Sequence, residues 1–430
     1  MIGVLVLVLM IVFLFSGMPV AFALGVAGAI GIYVYDGMDA VLGVLGTVPF
    51  RSAASYTLST VPMFILMAQF ISVSGTVDDV FTAAQRWLER LPGGLAVTTI
   101  FASAGMAAMS GSSTASAATL STMAVPQMVK RGYSESLATG VVTVAGTLAI
   151  MIPPSIAFVL YGIITETSIG KLLIAGIIPG ILTATMYTAA VIVWSKVRPH
   201  SMPRSSSVYS WKERFSSLNR LWPFMILATL VVGSMYAGFA TPTEAAAVGA
   251  FGAFVIPLVM RRLTLRTFKS AALKTIESTA MIFAIIIGAM IFGYFLTVTQ
   301  STQSLIQYIG DLSYNRWVIM MLIILLYLVL GCIMDQVAII LVTLPLTFPL
   351  VTSLGFDPIW FGVICTKTAE IGMATPPVGI NAYVVSATSK VPLDQVFRGA
   401  GPLIVVDLIS LAILLAFPAL STWLPSTMIA

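Results

Sequence analysis

Two pairs of consecutive prolines, Pro153-Pro154 and Pro376-Pro377, stand inside apolar segments, and each follows a short polar sequence. That sequence is Ser110–Thr114 before the first pair and Gly331–Gln336 before the second. Proline lacks a backbone donor and clashes with a preceding carbonyl group, so each pair leaves carbonyl oxygens free to bind a ligand. Carbonyl and hydroxyl oxygens suit a hard cation such as Na⁺, whereas an exposed helix N-terminus suits an anion. The two regions therefore predict sites for a cation and for an anionic molecule.

A few polar side chains near these regions are candidates for direct ligand contact. Asp335 is the ionisable residue of the second polar sequence, so we expect it to bind a ligand directly. Lys367 and Glu370 are three residues apart on one expected helix and can neutralise each other. Ser155 follows the first proline pair, where it could select a polar substrate, and its counterpart after the second pair is apolar. Asn381 fits a cavity lining and a packing role equally well.

The amino-acid composition excludes a soluble enzyme. Of the 430 residues, 59% are hydrophobic and 9% are charged, whereas soluble domains carry about 25% charged residues. The chain has one histidine, in a polar loop, and two cysteines in apolar segments without Cys/His metal spacing. We therefore expect no transition metal, no organic cofactor and no catalytic residues. The composition predicts an all-α polytopic membrane protein in a lipid bilayer, with no support for nucleic-acid binding.

A helix needs about 20 apolar residues to cross the hydrocarbon core. The apolar candidates, of which the first is short, are Ile2–Phe15, Pro19–Tyr35, Ala54–Ser74, Leu172–Ser195, Leu221–Ala240, Glu244–Met260, Ser278–Thr299 and Gly401–Trp423. Two further apolar regions contain several prolines and glycines, which predicts backbone that turns or breaks at membrane depth. We expect helical hairpins that enter and leave on one side at 93–129 and 317–351, and broken helices at 137–165 and 359–388.

Two amphipathic segments precede the hairpins, Val77–Leu91 and Gln303–Leu312. Each is expected to lie as an arm along the membrane interface. Three acidic residues, Glu244, Glu277 and Asp407, lie near the ends of candidate spans. We expect these carboxylates at the interface too, because charges deep in the membrane are costly.

An internal repeat organises the chain. An offset of 223 positions aligns Pro19 with Pro242 and the first proline pair with the second, and no gap is needed. The same offset aligns Pro126 with Pro349, Gly132 with Gly355, Thr143 with Thr366, Thr165 with Thr388, Gly176 with Gly399 and Pro179 with Pro402. The chain is therefore predicted to contain a first repeat at 1–195, a basic linker at 196–220 and a second repeat at 221–425.

The two repeats are expected to have opposite orientations in the membrane. Each is predicted to cross the membrane an odd number of times, which inverts the second repeat relative to the first. Residues 196–274 carry 11 basic and 2 acidic side chains, so the positive-inside rule places the linker in the cytoplasm. Both termini are then periplasmic. The first hairpin opens toward the cytoplasm and the second toward the periplasm.

Several motifs resemble the large membrane subunit (M subunit) of tripartite ATP-independent periplasmic (TRAP) transporters. They are Gly111–Thr119, Val125-Pro126, Lys130–Tyr133, Gly146–Ser155, Gly170–Pro179 and Ala374–Asn381. The resemblance covers essentially the whole chain. It implies a fold of the ion-transporter superfamily and an elevator mechanism, in which hairpins and broken helices move against a scaffold of the other spans. The implied function is sodium symport of a carboxylate-bearing organic acid, such as a C4-dicarboxylate or a sialic acid, across a bacterial inner membrane.

The resemblance also implies ligand sites and partners. One Na⁺ site would use Ser110, Ser112, Ser113, Thr114, Gly146, Thr147 and Pro153. The other would use Gly331, Asp335, Gln336, Gly372, Thr375 and Pro376. The substrate would lie near Ser112, Ser116, Ser155, Asp335 and Asn381. The implied partners are a small four-helix membrane subunit and a periplasmic substrate-binding protein.

Two other functions fit parts of the sequence. A stand-alone permease of the same superfamily could couple organic-anion uptake to H⁺ through Asp335 or Glu370. A more remote alternative is an intramembrane hydrolase with Ser112 as its nucleophile. The histidine, His200, lies in a polar loop and no GxGD-type aspartate pair is present, so the sequence gives such a nucleophile no evident base.

Overall fold

The structure, a computed structural model, describes residues 2–203, 209–311 and 314–428, with all their side chains except those of residues 108–110 and 200. Within these ranges all regular secondary structure is helical. Seven of the described helices are long and apolar enough to cross a membrane, or up to nine if each of two bent pairs counts as one span. The protein therefore spans a membrane several times.

The first repeat begins with scaffold helices and an amphipathic arm: α1 (Ile2–Phe15), α2 (Val20–Asp36), α3 (Met38–Ala53), α4 (Thr60–Val73) and α5 (Thr76–Leu88). It continues with a hairpin, a broken helix and a final interrupted helix: α6 (Gly94–Ser110), α7 (Ser113–Lys130), α8 (Glu135–Met151), α9 (Ile156–Thr165), α10 (Ile169–Ala175) and α11 (Ile177–Val197). A short helix, α12 (Trp211–Leu218), lies in the linker.

The second repeat contains a corresponding series of helices. They are α13 (Trp222–Ala228), which continues through a π-helical turn into α14 (Ser234–Tyr236), then α15 (Pro242–Val259), α16 (Leu265–Val298), α17 (Ser301–Asp311), α18 (Arg316–Ile333), α19 (Gln336–Ser353), α20 (Pro358–Ala374), α21 (Ile380–Ser389), α22 (Leu393–Ala416) and α23 (Ala419–Ser426). The bounds of α19 and α20 lie 223 positions after those of α7 and α8, the offset seen in the sequence.

The repeats interlock through reciprocal contacts. Helix α2 packs against α16, and its counterpart α15 packs against α4. In the same way α21 packs against α7, and its counterpart α9 packs against α19. This reciprocity is the pattern expected of two repeats related by a pseudo-twofold axis. The structure confirms the predicted fold class of an all-α polytopic membrane protein with two repeats, helical hairpins and broken helices.

Two features differ from the sequence prediction. Helix α3 was not predicted, because Asp39, Thr47 and Arg51 interrupt its apolar character; it bends by 58° into the helical segment at 57–73. The corresponding part of the second repeat is the single helix α16, which begins earlier than predicted at a capping box formed by Thr264 and Thr267.

The expectation that Asp407 lies at the interface is wrong. Its side chain is 1% exposed and forms a close ion pair with the buried Lys367. The pairing repays part of the desolvation cost of both charges. Glu244 and Glu277, which carried the same expectation, are exposed.

The arm α5 is held at both ends. Near its start, the buried carboxylate of Asp79 accepts a hydrogen bond of 3.0 Å from Arg262, which lies between α15 and α16. Near its end, the indole of Trp87 donates a 3.2 Å hydrogen bond to the carbonyl of Arg214 in α12. Helix α12 starts at a capping box, and hydrogen bonds from Ser210 hold the pKa of Glu213 below its ordinary value. The linker therefore packs directly against the first arm.

Candidate functional site

The first hairpin turns at Gly111 and Ser112. Gly111 has a φ of 59°, and a Cβ there would lie 2.8 Å from the carbonyl oxygen of Pro154, so glycine permits contact between tip and broken helix. Ser112 caps α7, since its hydroxyl accepts a 3.4 Å hydrogen bond from the amide of Ala115. The hydroxyl of Thr114 lies 3.2 Å from that of Ser112. Two hydroxyl groups are thus grouped at the N-terminus of α7.

The second hairpin turns at Met334 and Asp335. Asp335 caps α19, because Oδ2 accepts a 3.1 Å hydrogen bond from the amide of Val337. The amide of Gly379, after the second proline pair, donates a 2.9 Å hydrogen bond to the carbonyl of Cys332. Tip and break are therefore joined in this repeat as well.

A cavity of about 350 Å³ lies between the two tips and the helices α4 and α16. Ser112, Asp335 and Gln336 line it from the hairpins. Gln69 of α4 and Ser278 of α16 line it from the opposite side. Asp335 is the one charged side chain among the described lining residues.

Two helix N-termini meet at this cavity, because the capping residues of both α7 and α19 line it. Partial positive charge at a helix N-terminus stabilises a bound anion. The carboxylate of Asp335, exposed to the cavity, supplies a negative charge for a cation. The arrangement can therefore hold an anionic group and a cation side by side.

The sodium-site candidates of the first repeat fall into two groups. Ser112, Ser113 and Thr114 line the cavity. Gly146, Thr147 and Pro153 do not line it. Gly146 packs against Ala117, and Pro153 is buried. The hydroxyl of Thr147 donates a 2.7 Å hydrogen bond to the carbonyl of Val144. The side chain of Ser110 lies outside the described residues.

The candidates of the second repeat divide in the same way. Asp335 and Gln336 line the cavity, whereas Gly331 and Gly372 pack against each other behind it. Thr375 donates a 2.6 Å hydrogen bond to the carbonyl of Ile371. The two proline pairs differ in depth, because Pro153 and Pro154 are buried whereas Pro376 and Pro377 are exposed.

Of the five substrate-site candidates, Ser112 and Asp335 line the cavity. Ser116, Ser155 and Asn381 are each 0% exposed and do not line it. Ser155 caps α9, and the amide nitrogen of Asn381 donates a hydrogen bond to the hydroxyl of Ser113. Asn381 thus joins the second broken helix to the first hairpin tip.

Sequence reasoning missed the polar residues on the scaffold side of the cavity, which are Gln69, Ser72 and Ser278. Gln69 and Ser72 lie in the largely apolar helix α4, and Ser278 lies in α16 between Glu277 and Thr279. The signal that could have found two of them is the spacing of Gln69 and Ser72, because residues three apart share one face of a helix.

The contact between Gly331 and Gly372 should be sensitive to one methyl group. In Gly372→Ala the new Cβ would lie 2.5 Å from the Cα of Gly331, so α18 and α20 must separate. We expect a loss of about 1–3 kcal/mol in the free energy of unfolding, measured as a lower melting temperature in detergent. Gly401→Ala, in open space on α22, is the control and should cause no loss. Equal melting temperatures for the two variants would contradict this packing.

Comparisons with known proteins find a matching family, similar chains and a similar fold. Residues 7–420 match the sequence profile of a family described as "Tripartite ATP-independent periplasmic transporter, DctM component". The chain is 36% identical over 406 residues to the C4-dicarboxylate TRAP transporter large permease protein DctM of Pseudomonas aeruginosa, with 94% of each chain covered. It is 31% identical over 417 residues to the sialic acid TRAP transporter large permease protein SiaM of Vibrio cholerae serotype O1, with 96% of each chain covered.

One solved structure, the YdaH transporter of Alcanivorax borkumensis, has a similar fold with a TM-score of 0.64. The match covers 96% of this chain and 98% of that one at 14% sequence identity. At this identity the similarity concerns the fold alone.

Proposed function

Because the chain belongs to the DctM component family of tripartite ATP-independent periplasmic transporters, we propose that it imports a carboxylate-bearing organic acid together with Na⁺. It is the large membrane subunit of such a transporter and not an enzyme, which excludes the hydrolase alternative. The observation that carries the proposal is the meeting of two helix N-termini and the Asp335 carboxylate at one cavity.

The charges at the cavity give a physical reason for coupling. The described lining contains no lysine or arginine to neutralise a substrate carboxylate. Helix N-termini supply part of the positive charge, and a bound Na⁺ supplies more. Asp335 repels an anion unless a cation lies beside it. Substrate and Na⁺ therefore bind more tightly together than either does alone, which is a coupling free energy between the two ligands.

We assign each Na⁺ to a hairpin tip together with the adjoining break. In the first repeat the contact between Gly111 and Pro154 supports this assignment. In the second repeat, the hydrogen bond from Gly379 to Cys332 supports it. Carbonyl oxygens at such breaks lack helical partners and are ligands of the kind that Na⁺ prefers.

We propose an elevator movement of the hairpins and broken helices against the scaffold. The cavity lies between these two bodies, with Gln69 and Ser278 on the scaffold and Ser112 and Asp335 on the hairpins. The first arm connects them. Left-handed glycines flank the arm, Gly75 with a φ of 72° and Gly93 with a φ of 69°, and such positions can absorb a hinge rotation.

We place the protein in a bacterial inner membrane with the linker in the cytoplasm and both termini in the periplasm. The basic composition of 196–274 supports this orientation. Val77, at the start of α5, lines the cavity, and α5 packs against the linker helix α12. The cavity then opens toward the cytoplasm. The tripartite family implies two partners, a small four-helix membrane subunit and a periplasmic substrate-binding protein that delivers the acid.

Uptake across an imposed sodium gradient tests the function. We expect proteoliposomes with the chain and both partners to accumulate a C4-dicarboxylate or a sialic acid when Na⁺ is high outside at clamped pH. Omission of the binding protein should abolish accumulation. Uptake that needs only a proton gradient, or no binding protein, would instead support the stand-alone proton-coupled permease.

Cysteine cross-linking tests the elevator movement. In a background with Cys332→Ala and Cys365→Ala, Gln69→Cys and Ala115→Cys place thiols on opposite walls of the cavity. We expect the yield with a bismaleimide reagent to change several-fold when Na⁺ and substrate are added. Gln69→Cys with Ser278→Cys joins two scaffold helices and should give a constant yield. A constant yield for both pairs would argue against an elevator.

A further inference from the structure

A second cavity of about 610 Å³ lies beside the first, between the scaffold and the second hairpin. Helices α1 and α2 form one wall, α16 forms the base, and α18 and α19 form the other wall. Asp335, at its inner end, is the one charged side chain among the described residues that line it. This second cavity, which we call the lateral cleft, is therefore apolar almost throughout.

The lateral cleft is continuous with the lipid-facing surface. Its rim carries large apolar side chains that are strongly exposed, Phe15 at 75%, Phe22 at 63% and Ile333 at 41%. Ile333 lies on α18, which is long and apolar enough to cross a membrane, and Phe15 and Phe22 lie on shorter apolar helices, so hydrocarbon is the solvent expected around all three. An apolar cleft of this volume is in the size range of ligand cavities, and protein interiors rarely leave such space empty.

The lateral cleft also adjoins the ligand-binding cavity. Met281 and Asp335 line both cavities. These two side chains therefore form part of the boundary between the ligand-binding cavity and the lateral cleft. A hydrocarbon chain in the cleft would complete this wall and exclude water from the side of Asp335 that faces the lipid.

We propose that the lateral cleft is a lipid site that holds one acyl chain of a membrane phospholipid, which seals the ligand-binding cavity from the bilayer. The head group of the lipid stays at the interface. This inference concerns a binding site distinct from those of Na⁺ and the organic acid, so it can fail while the proposed transport function stands.

Photolabelling tests the site. The full chain is reconstituted in vesicles of phosphatidylethanolamine and phosphatidylglycerol that contain a small fraction of phosphatidylcholine with a diazirine on one acyl chain. We expect mass spectrometry to find adducts on cleft residues such as Met334 and Ala338. Ala284→Trp places a large side chain at an exposed position of the cleft and should lower this labelling at least several-fold.

Ala247→Trp is the matched control, because Ala247 is exposed on α15 and does not line the cleft. It should leave cleft labelling unchanged. Cleft labelling that Ala284→Trp does not lower would overturn the proposal. Loss of labelling when the small membrane subunit is co-reconstituted would also overturn it, since a helix of that subunit would then be the occupant. Sodium-driven uptake, measured on vesicles of the same lipids that contain the chain together with both partner proteins, reports the transport function separately.

Discussion

Asp335→Asn is expected to reduce uptake to background while the protein stays folded. The substitution removes the charge but keeps a side-chain oxygen that can accept the 3.1 Å hydrogen bond from Val337, so the cap of α19 is retained. A lost interaction with a charged group is worth about 1.5–3 kcal/mol, or roughly 10- to 100-fold in cation affinity. Initial uptake rates over a range of Na⁺ concentrations measure the effect.

Asp357→Asn is the matched control for this experiment. Asp357 also caps a helix, since it accepts a 2.8 Å hydrogen bond from the amide of Trp360, but it does not line the cavity. It should preserve uptake and its sodium dependence. If Asp335→Asn matched the wild type in rate and in sodium dependence, Asp335 would have no place in the binding site.

Asp407→Asn is expected to destabilise the protein more than any other single change considered. Lys367 is 0% exposed, and Asp407 is its close partner, whereas the carboxylate of Glu370 lies 4.0 Å from its amine. Removal of one partner of a buried ion pair costs about 3–5 kcal/mol because an uncompensated charge remains. A large drop in melting temperature in detergent should reveal this cost.

The same helix supplies the control for Asp407. Asp394 in α22 forms an exposed pair of 3.7 Å with Arg398, and exposed pairs contribute about 0–1 kcal/mol. Asp394→Asn should therefore leave the melting temperature nearly unchanged. The triple variant Lys367→Met, Glu370→Gln, Asp407→Leu removes all three buried charges and should recover much of the lost stability. If Asp407→Asn and Asp394→Asn were equally mild, the buried pair would contribute nothing to the fold.

The sequence was sufficient to predict the hairpin turns and helix breaks, which depend on local residues. Prolines, glycines and short polar sequences mark where hairpins turn and helices break. Because the chain contains two repeats, each helix boundary could be predicted from two copies of the same pattern. The structure gives α7 and α19 bounds that differ by the same 223 positions as the two sequence patterns. Local chemistry specifies these features, because a proline pair or a capping Ser112 acts on its own backbone.

Sequence reasoning missed the features that distant contacts determine. The depth of Asp407 depends on Lys367, which lies in another helix, so no local pattern distinguishes it from an interfacial carboxylate. Gln69 is one of few polar residues in an apolar helix, and only the folded chain brings it to the same cavity as Asp335. Helix α3 is too polar to be recognised by hydropathy, yet its packing against α16 stabilises it.

The unequal burial of the two proline pairs has a consequence for the rest of the transport cycle. The repeats share the spacing of their prolines and glycines but have different surroundings, with Pro153-Pro154 buried and Pro376-Pro377 exposed. The observed arrangement of each repeat therefore predicts a second arrangement that the other repeat could adopt. If the two repeats exchange surroundings, the first proline pair becomes exposed and the second becomes buried. Because the repeats are expected to have opposite orientations, the cavity would then open at the opposite membrane face. Under the proposed elevator movement, the asymmetry of this one conformation would then specify the opposite-facing one.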